Sequence, residues 1–248
     1  MREIRLSGSE GGAGQSNAPS LPLCLFAVEA NRAYLIKLGG TAAAALTISG
    51  RPQAAPSAWK ANSFNLVGFV VSPVSPPSFS QFLAGDPALA GQALYRLSAV
   101  GHWELVTAPQ TTAMRDGEAF WLYCNGASSF VGPLRAAPEV GPELDFGALL
   151  DQVRFTVRNE STISRTVAFA LADVPPANVL LYSKFDPAQN DFVWVPISDL
   201  PVVELAPRAS CTIQLGVRRQ NLTADFATLL LVTDQYGSLV RLPLTMGK

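Results

Sequence analysis

Residues 153–158 read Val153-Arg154-Phe155-Thr156-Val157-Arg158. Apolar and polar side chains alternate one by one, which is the period of a β-strand with one buried face. The alternation returns at Val167, Phe169 and Leu171, at Val179 and Leu181, and at Phe192 and Trp194. Further strand signals lie at 202–205, 212–217, 228–232 and 239–244, with turn residues such as Asp234-Gln235-Tyr236-Gly237 between strands.

About eight short strands in about 100 residues predict a two-sheet sandwich of the immunoglobulin-like kind over residues 148–248. The Cys…Trp…Cys arrangement of antibody domains is missing, since only Cys211 lies in this half.

Upstream, residues 21–135 also read as β. Strand candidates are 23–28, 33–38, 44–49, 64–71, 93–98, 103–106, 119–124 and 130–134. One helix is predicted, with Ser78 as N-cap, a body from Phe79 to Leu83 and Gly85 after it. Ser98-Ala99-Val100-Gly101 reads as a hairpin turn. Residues 136–147 hold Pro138, Gly141 and Pro142 and read as a linker. The first 20 residues read as an arm, with alternating Arg2-Glu3-Ile4-Arg5-Leu6 followed by a Gly/Ser-rich stretch. Pairing with a neighbouring sheet would order such an arm, with Ile4 and Leu6 as its docking side chains. A weak repeat joins 31–40 to 117–126, at an offset of 86 residues.

The chain has 248 residues, 18 Lys+Arg against 19 Asp+Glu, and charged residues at 15%. A typical soluble protein carries about 25%. With no basic run, the electrostatic footprint of a nucleic-acid binder is absent. With 48% hydrophobic residues the chain is too apolar to be disordered. No apolar run approaches the roughly 18 residues of a membrane helix. Residues 1–20 lack the apolar core of a signal peptide. That fits a mature or fragment numbering, and it also fits a cytosolic chain.

The single histidine, His102, sits next to a predicted turn with no partner pattern for nucleophilic catalysis. Gly8 to Gly14 lacks the Lys and the following helix of a phosphate loop. The acids Glu104, Asp116, Glu118, Asp173, Asp186, Asp191 and Asp234 are scattered over turns and strand exteriors. The turn from Asp186 to Asp191 has oxygen ligands for Ca²⁺ but not EF-hand spacing, and reads as a hairpin loop. Neither a cofactor nor a metal is expected. Cys24, Cys124 and Cys211 read as buried free thiols, or with Cys24 and Cys124 bridged. Asn159-Glu160-Ser161 and Asn221-Leu222-Thr223 match the glycosylation sequon.

Trp59, Trp103, Trp121 and Trp194 raise a carbohydrate-stacking reading. Against it, Trp121 with Tyr123, and Phe192 with Trp194, share a face at period two, which is more often a core pattern.

Two resemblances cover most of the chain. Val153 to Ser161, a strand running into an Asn-x-Ser turn, resembles the immunoglobulin-like modules of bacterial surface and secreted proteins. So does Glu204-Leu205-Ala206-Pro207-Arg208-Ala209-Ser210-Cys211-Thr212-Ile213, although Arg208 stands where the commoner pattern has glycine. Trp59…Phe64-Asn65-Leu66-Val67-Gly68-Phe69 with Gly117-Glu118-Ala119-Phe120-Trp121-Leu122 resembles modules of large bacterial exported proteins. These resemblances imply an exported, non-catalytic β module. The expected function is therefore structural: a part of a bacterial cell-surface or extracellular assembly, packing on itself or on other surface proteins. A glycan-binding or adhesion module using exposed aromatics is the second expectation.

Overall fold

A computed structural model of the protein describes residues 58–248, together with the backbone of two short strands before them. Those two strands, β1 (Glu3–Leu6) and β2 (Leu35–Leu38), pair in parallel, with Ile4 opposite Ile36 and Leu6 opposite Leu38. They belong to one compact unit, Met1–Gly50, and everything below belongs to a second, Arg51–Lys248. The side chains of Ile4 and Leu6, the strand candidates at 23–28 and 44–49, and Cys24 lie outside the described residues.

The second unit begins with a four-stranded sheet. Its parts are β3 (Ser63–Gly68), α1 (Phe79–Leu83), β4 (Leu94–Leu97), β5 (Trp103–Leu105) and β6 (Ala119–Cys124), with strand order β3-β6-β4-β5, all antiparallel. The helix forms where expected. The Ser78 hydroxyl accepts from the Gln81 N–H at 3.2 Å, and the Gln81 side chain accepts from the Ser78 N–H at 3.0 Å. This reciprocal cap contributes about 1 kcal/mol. Phe79 and Phe82 of α1 pack against Phe120, Phe69 and Phe130, and Leu94, Leu122 and Cys124 complete that core.

The sandwich follows: β7 (Leu134–Pro138), β8 (Leu144–Asp145), β9 (Gln152–Asn159), β10 (Arg165–Leu171), β11 (Leu180–Asp186), β12 (Asp191–Pro196), β13 (Val203–Leu205), β14 (Ser210–Val217), β15 (Phe226–Asp234) and β16 (Leu239–Met246). One sheet runs β12-β11-β14-β9-β7 and the other β13-β10-β15-β16-β8. In immunoglobulin lettering, β7, β9, β14 and β11 take the places of A, B, E and D, and β10, β15 and β16 those of C, F and G. The inner faces share one core, with Phe155, Val157 and Leu215 from the first sheet and Val167, Leu230, Val232 and Leu242 from the second. The all-β, immunoglobulin-like expectation holds.

Two local expectations differ. Residues 136–147, read as a linker, carry the end of β7 and all of β8. β7 is an edge strand, where a terminal Pro138 costs no ladder bond on the open side. β8 pairs in parallel with β16 and is too short to show a period. Residues 130–134 were expected as a strand, but the strand begins at Leu134. Ahead of it Gly132 takes φ +142° and Pro133 offers no N–H.

Within this unit the sandwich is fastened to the helical side of the four-stranded sheet by buried polar groups. The Arg165 guanidinium, 1% exposed, pairs with the Asp234 carboxylate. It also donates to the Ser161 hydroxyl at 2.9 Å and to the Gln81 carbonyl of α1 at 3.4 Å. Asn159, fully buried, donates to the carbonyls of Ile163, Leu205 and Ala206 and accepts from the Ser161 N–H and hydroxyl. The Asn-x-Ser turn seen in the sequence is therefore a structural joint. An Asn159 amide so enclosed has no room for a glycan.

Candidate functional site: an open aromatic sheet face

Strand β6 reads Ala119-Phe120-Trp121-Leu122-Tyr123-Cys124 and is apolar at both alternations. Phe120, Leu122 and Cys124 point to α1 and are buried. Trp121 and Tyr123 therefore point the other way. Register carries the same division across the sheet. Phe64 and Leu66 of β3 lie opposite Tyr123 and Trp121. Tyr95 of β4 lies opposite Trp121 on one side and Leu105 of β5 on the other, and Leu97 lies opposite Trp103. Every strand thus turns only large apolar or aromatic side chains outward along this central band. The only charged residues of these strands, Arg96 and Glu104, are paired with each other in register and fall on the helical face.

The outward rings support one another. Trp103 and Trp121 meet with centroids 6.2 Å apart and planes at 66°. Phe64 packs edge-on against Tyr95 at 5.7 Å and Tyr123 at 5.2 Å. Phe64 remains 42% exposed and Leu105 51% exposed, while the two tryptophans are half-buried. Arg96 helps hold the sheet from beneath. It forms a bidentate pair with Glu118 at 2.6 and 2.5 Å and lies over the Phe79 ring. A fixed, uncharged, ring-lined surface of this kind can bury apolar area against a partner and offer Tyr hydroxyls and Trp N–H groups as donors.

The structure brings together two of the four tryptophans singled out in the sequence. Trp59 stacks on Phe69 and donates to the Phe130 carbonyl at 2.8 Å, as part of the inner core. Trp194 lies on the outer face of the sandwich over Gly216, where a Cβ would come within 2.7 Å of its ring. Beside it Phe185 and Phe192 pair edge-on, 45% and 66% exposed. The core expectation for Trp121 with Tyr123, and for Phe192 with Trp194, is corrected: these residues point away from the cores. Period two identifies a shared face but does not say which face is buried when both are apolar. What the sequence did not reveal is that Phe64, Leu66, Tyr95, Leu97 and Leu105 join the same surface. Strand register is the signal that collects them.

His102 is exposed beside the 98–101 turn. Asp116 pairs with Arg241 at 3.3 Å, Glu118 with Arg96, and Asp234 with Arg165. Asp186 accepts from the Ala188 N–H at 2.9 Å and the Gln189 amide at 3.0 Å within its hairpin turn. Among the described residues, no group of three or more His, Cys, Asp or Glu is placed to hold a metal. None of the described helices is long and apolar enough to cross a membrane. Cys124 and Cys211 are free thiols, and burial pushes both up from the ordinary cysteine value.

A cleft of about 190 Å³ lies where Gly85 meets the sandwich, lined by Asp86, Phe130, Arg135, Glu160 and Arg208. Arg208 sits at φ +64°, so it takes the left-handed conformation that glycine has in the commoner pattern. Its guanidinium donates to the Gly85 carbonyl at 2.8 Å.

No family model matches the chain, and no curated protein matches it. Among solved structures the ASH/PapD-like domain 7 of human CEP192 is similar, at 8% identity and a TM-score of 0.32. The match covers 47% of this chain and 84% of that one.

Proposed function

We propose that the protein is a non-catalytic structural module of a bacterial cell-surface or extracellular assembly, acting by protein–protein packing. The observation that carries this reading is the outward face of the four-stranded sheet, where all four strands present apolar or aromatic residues and no charge. Contiguous exposed patches of that kind mark interaction surfaces in soluble proteins. The low overall charge, 15%, agrees with a molecule whose surface is partly covered by neighbours. In the same reading the N-terminal arm contributes by strand exchange, with β1 as the exchanged strand and Ile4 and Leu6 as its docking side chains.

The ring geometry favours protein packing over glycan stacking. A sugar platform needs coplanar exposed rings, whereas the planes here meet at 66° to 70°. The test is light scattering coupled to size exclusion, followed by electron microscopy for filaments or particles. Wild type is expected to assemble. The Trp103→Ala/Trp121→Ala variant is expected to stay folded and monomeric. A variant that assembles like wild type, or specific hits on a glycan array that vanish with those tryptophans, would contradict the packing reading.

A further inference from the structure

The size of the aromatic face restricts what fills it. Four strands spaced about 4.8 Å apart, each showing a few residues at about 3.3 Å rise, give roughly 19 by 15 Å, on the order of 300 Å². A standard interface buries about 800 Å² on each partner. A contact of that size is weak and reversible; it suits a projecting loop and is too small for flat sheet-on-sheet pairing.

The same molecule displays such a loop. Residues 72–77 read Ser72-Pro73-Val74-Ser75-Pro76-Pro77, and Val74 is 92% exposed. The ten residues from Val70 to Phe79 carry no charge. Three prolines fix much of the backbone. The Ser72 N–H donates to the Gly237 carbonyl at 2.8 Å, and the Ser75 N–H to the Ser72 hydroxyl at 3.3 Å. Gly237, at φ +90°, lies so close that a Cβ would strike the Ser75 carbonyl. A loop held this firmly loses little entropy on docking. Other side chains are comparably exposed, but Glu139 and Asp173 stand beside Val140 and Val174, Asp151 follows Leu149 and Leu150, and Val100 lies on the β4–β5 turn, within the sheet that carries the face itself. The Val74 loop is uncharged like the face and is not part of its sheet, and proline-rich segments dock on aromatic-lined surfaces by ring packing.

The loop runs straight into α1, on the side of the sheet opposite the aromatic face. Val71 and the residues after Pro77 are anchored in the helical core, where the Met114 N–H donates to the Pro77 carbonyl at 2.9 Å. A molecule is thus unable to fill its own face.

We propose that the aromatic face of one copy receives the Val74 loop of a second copy, giving a head-to-tail chain of like subunits. A contact between two different surfaces of one chain propagates unless its rotation closes a ring. This rests on the reading of the face as a packing surface and names its partner.

The experiment uses the full chain with Val74→Asp and Leu105→Asp, both at exposed positions, with thermal melts to verify folding. Wild type should associate beyond dimers as concentration rises in sedimentation velocity. Each variant alone should associate at least about tenfold more weakly. An equimolar mixture should form one-to-one dimers and stop there, because the first variant keeps a working face and the second a working loop. If Leu105→Asp abolishes assembly while Val74→Asp leaves it intact, the loop assignment falls and the packing surface stands. If both variants assemble like wild type, both fall. A wild type that is monomeric at every concentration overturns the second copy as occupant.

Discussion

Trp121 of β6 and Trp103 of β5 touch across the intervening strand β4, edge to face, with centroids 6.2 Å apart. This contact spans the middle of the outward face and ties the Trp103 ring of the edge strand to Trp121, whose strand neighbours Phe120 and Leu122 are locked in the helical core. The surface is thereby preorganised by the fold beneath it.

The pair should be energetically coupled. A double-mutant cycle with Trp103→Ala and Trp121→Ala, read by urea unfolding, is expected to give a coupling of about 0.5–1.5 kcal/mol. Additive effects would mean the rings merely neighbour one another.

Removing one member of the buried Arg165–Asp234 pair leaves an uncompensated charge. Asp234→Ala should cost about 3–5 kcal/mol in equilibrium unfolding. It should also loosen the turn, because Asp234 accepts from the N–H groups of Tyr236 at 3.0 Å and Ser238 at 2.9 Å. A loss below about 1 kcal/mol would contradict the role of this pair in fastening the sandwich to α1.

Arg208 holds a left-handed backbone conformation. Arg208→Gly relieves that cost and loses the bond to the Gly85 carbonyl. Arg208→Ala loses the bond and keeps the cost. The glycine variant should therefore be the more stable of the two by about 1 kcal/mol. Equal stability, measured by denaturant titration, would show that φ +64° costs nothing here.

Stability should fall on the alkaline side. Burial, with the Asp86 charge second, raises the Cys124 thiol; burial raises Cys211, partly offset by the hydrogen bond from the Val157 backbone. Burial, with Asp199 second, raises the Tyr182 phenol. The unfolded chain releases these protons first. Their contribution is thus complete below the unfolded values and is lost as pH rises through the folded ones, starting above roughly pH 8.5 for the thiols. Urea midpoints at neutral and alkaline pH check the sign. Replacing both cysteines by alanine should shrink the alkaline loss.

Much of this fold was legible in the sequence. The alternation at Val153, Phe155 and Val157 identified a sandwich strand because polar Arg154, Thr156 and Arg158 mark the solvent side. Ser78 marked the helix start because capping is local chemistry. At β6 the same logic was silent, since Phe120, Trp121, Leu122 and Tyr123 leave no polar side to read. Which pair faced the helix depended on α1, brought there by tertiary packing. The aromatic face was invisible for the same reason: its members come from four strands, and only their register assembles them. Arg208 shows the converse. The motif marked the glycine position, and the structure shows arginine adopting glycine's conformation while its side chain reaches Gly85.

The central claim is that the aromatic face is the protein's packing surface. It is tested most directly by oxidative footprinting of the four tryptophans over a range of protein concentration, read by mass spectrometry. The account predicts that Trp103 and Trp121 become protected as concentration rises, while Trp59 and Trp194 keep constant reactivity. Trp103 and Trp121 remaining equally reactive throughout, in samples that light scattering shows to be assembled, would contradict it.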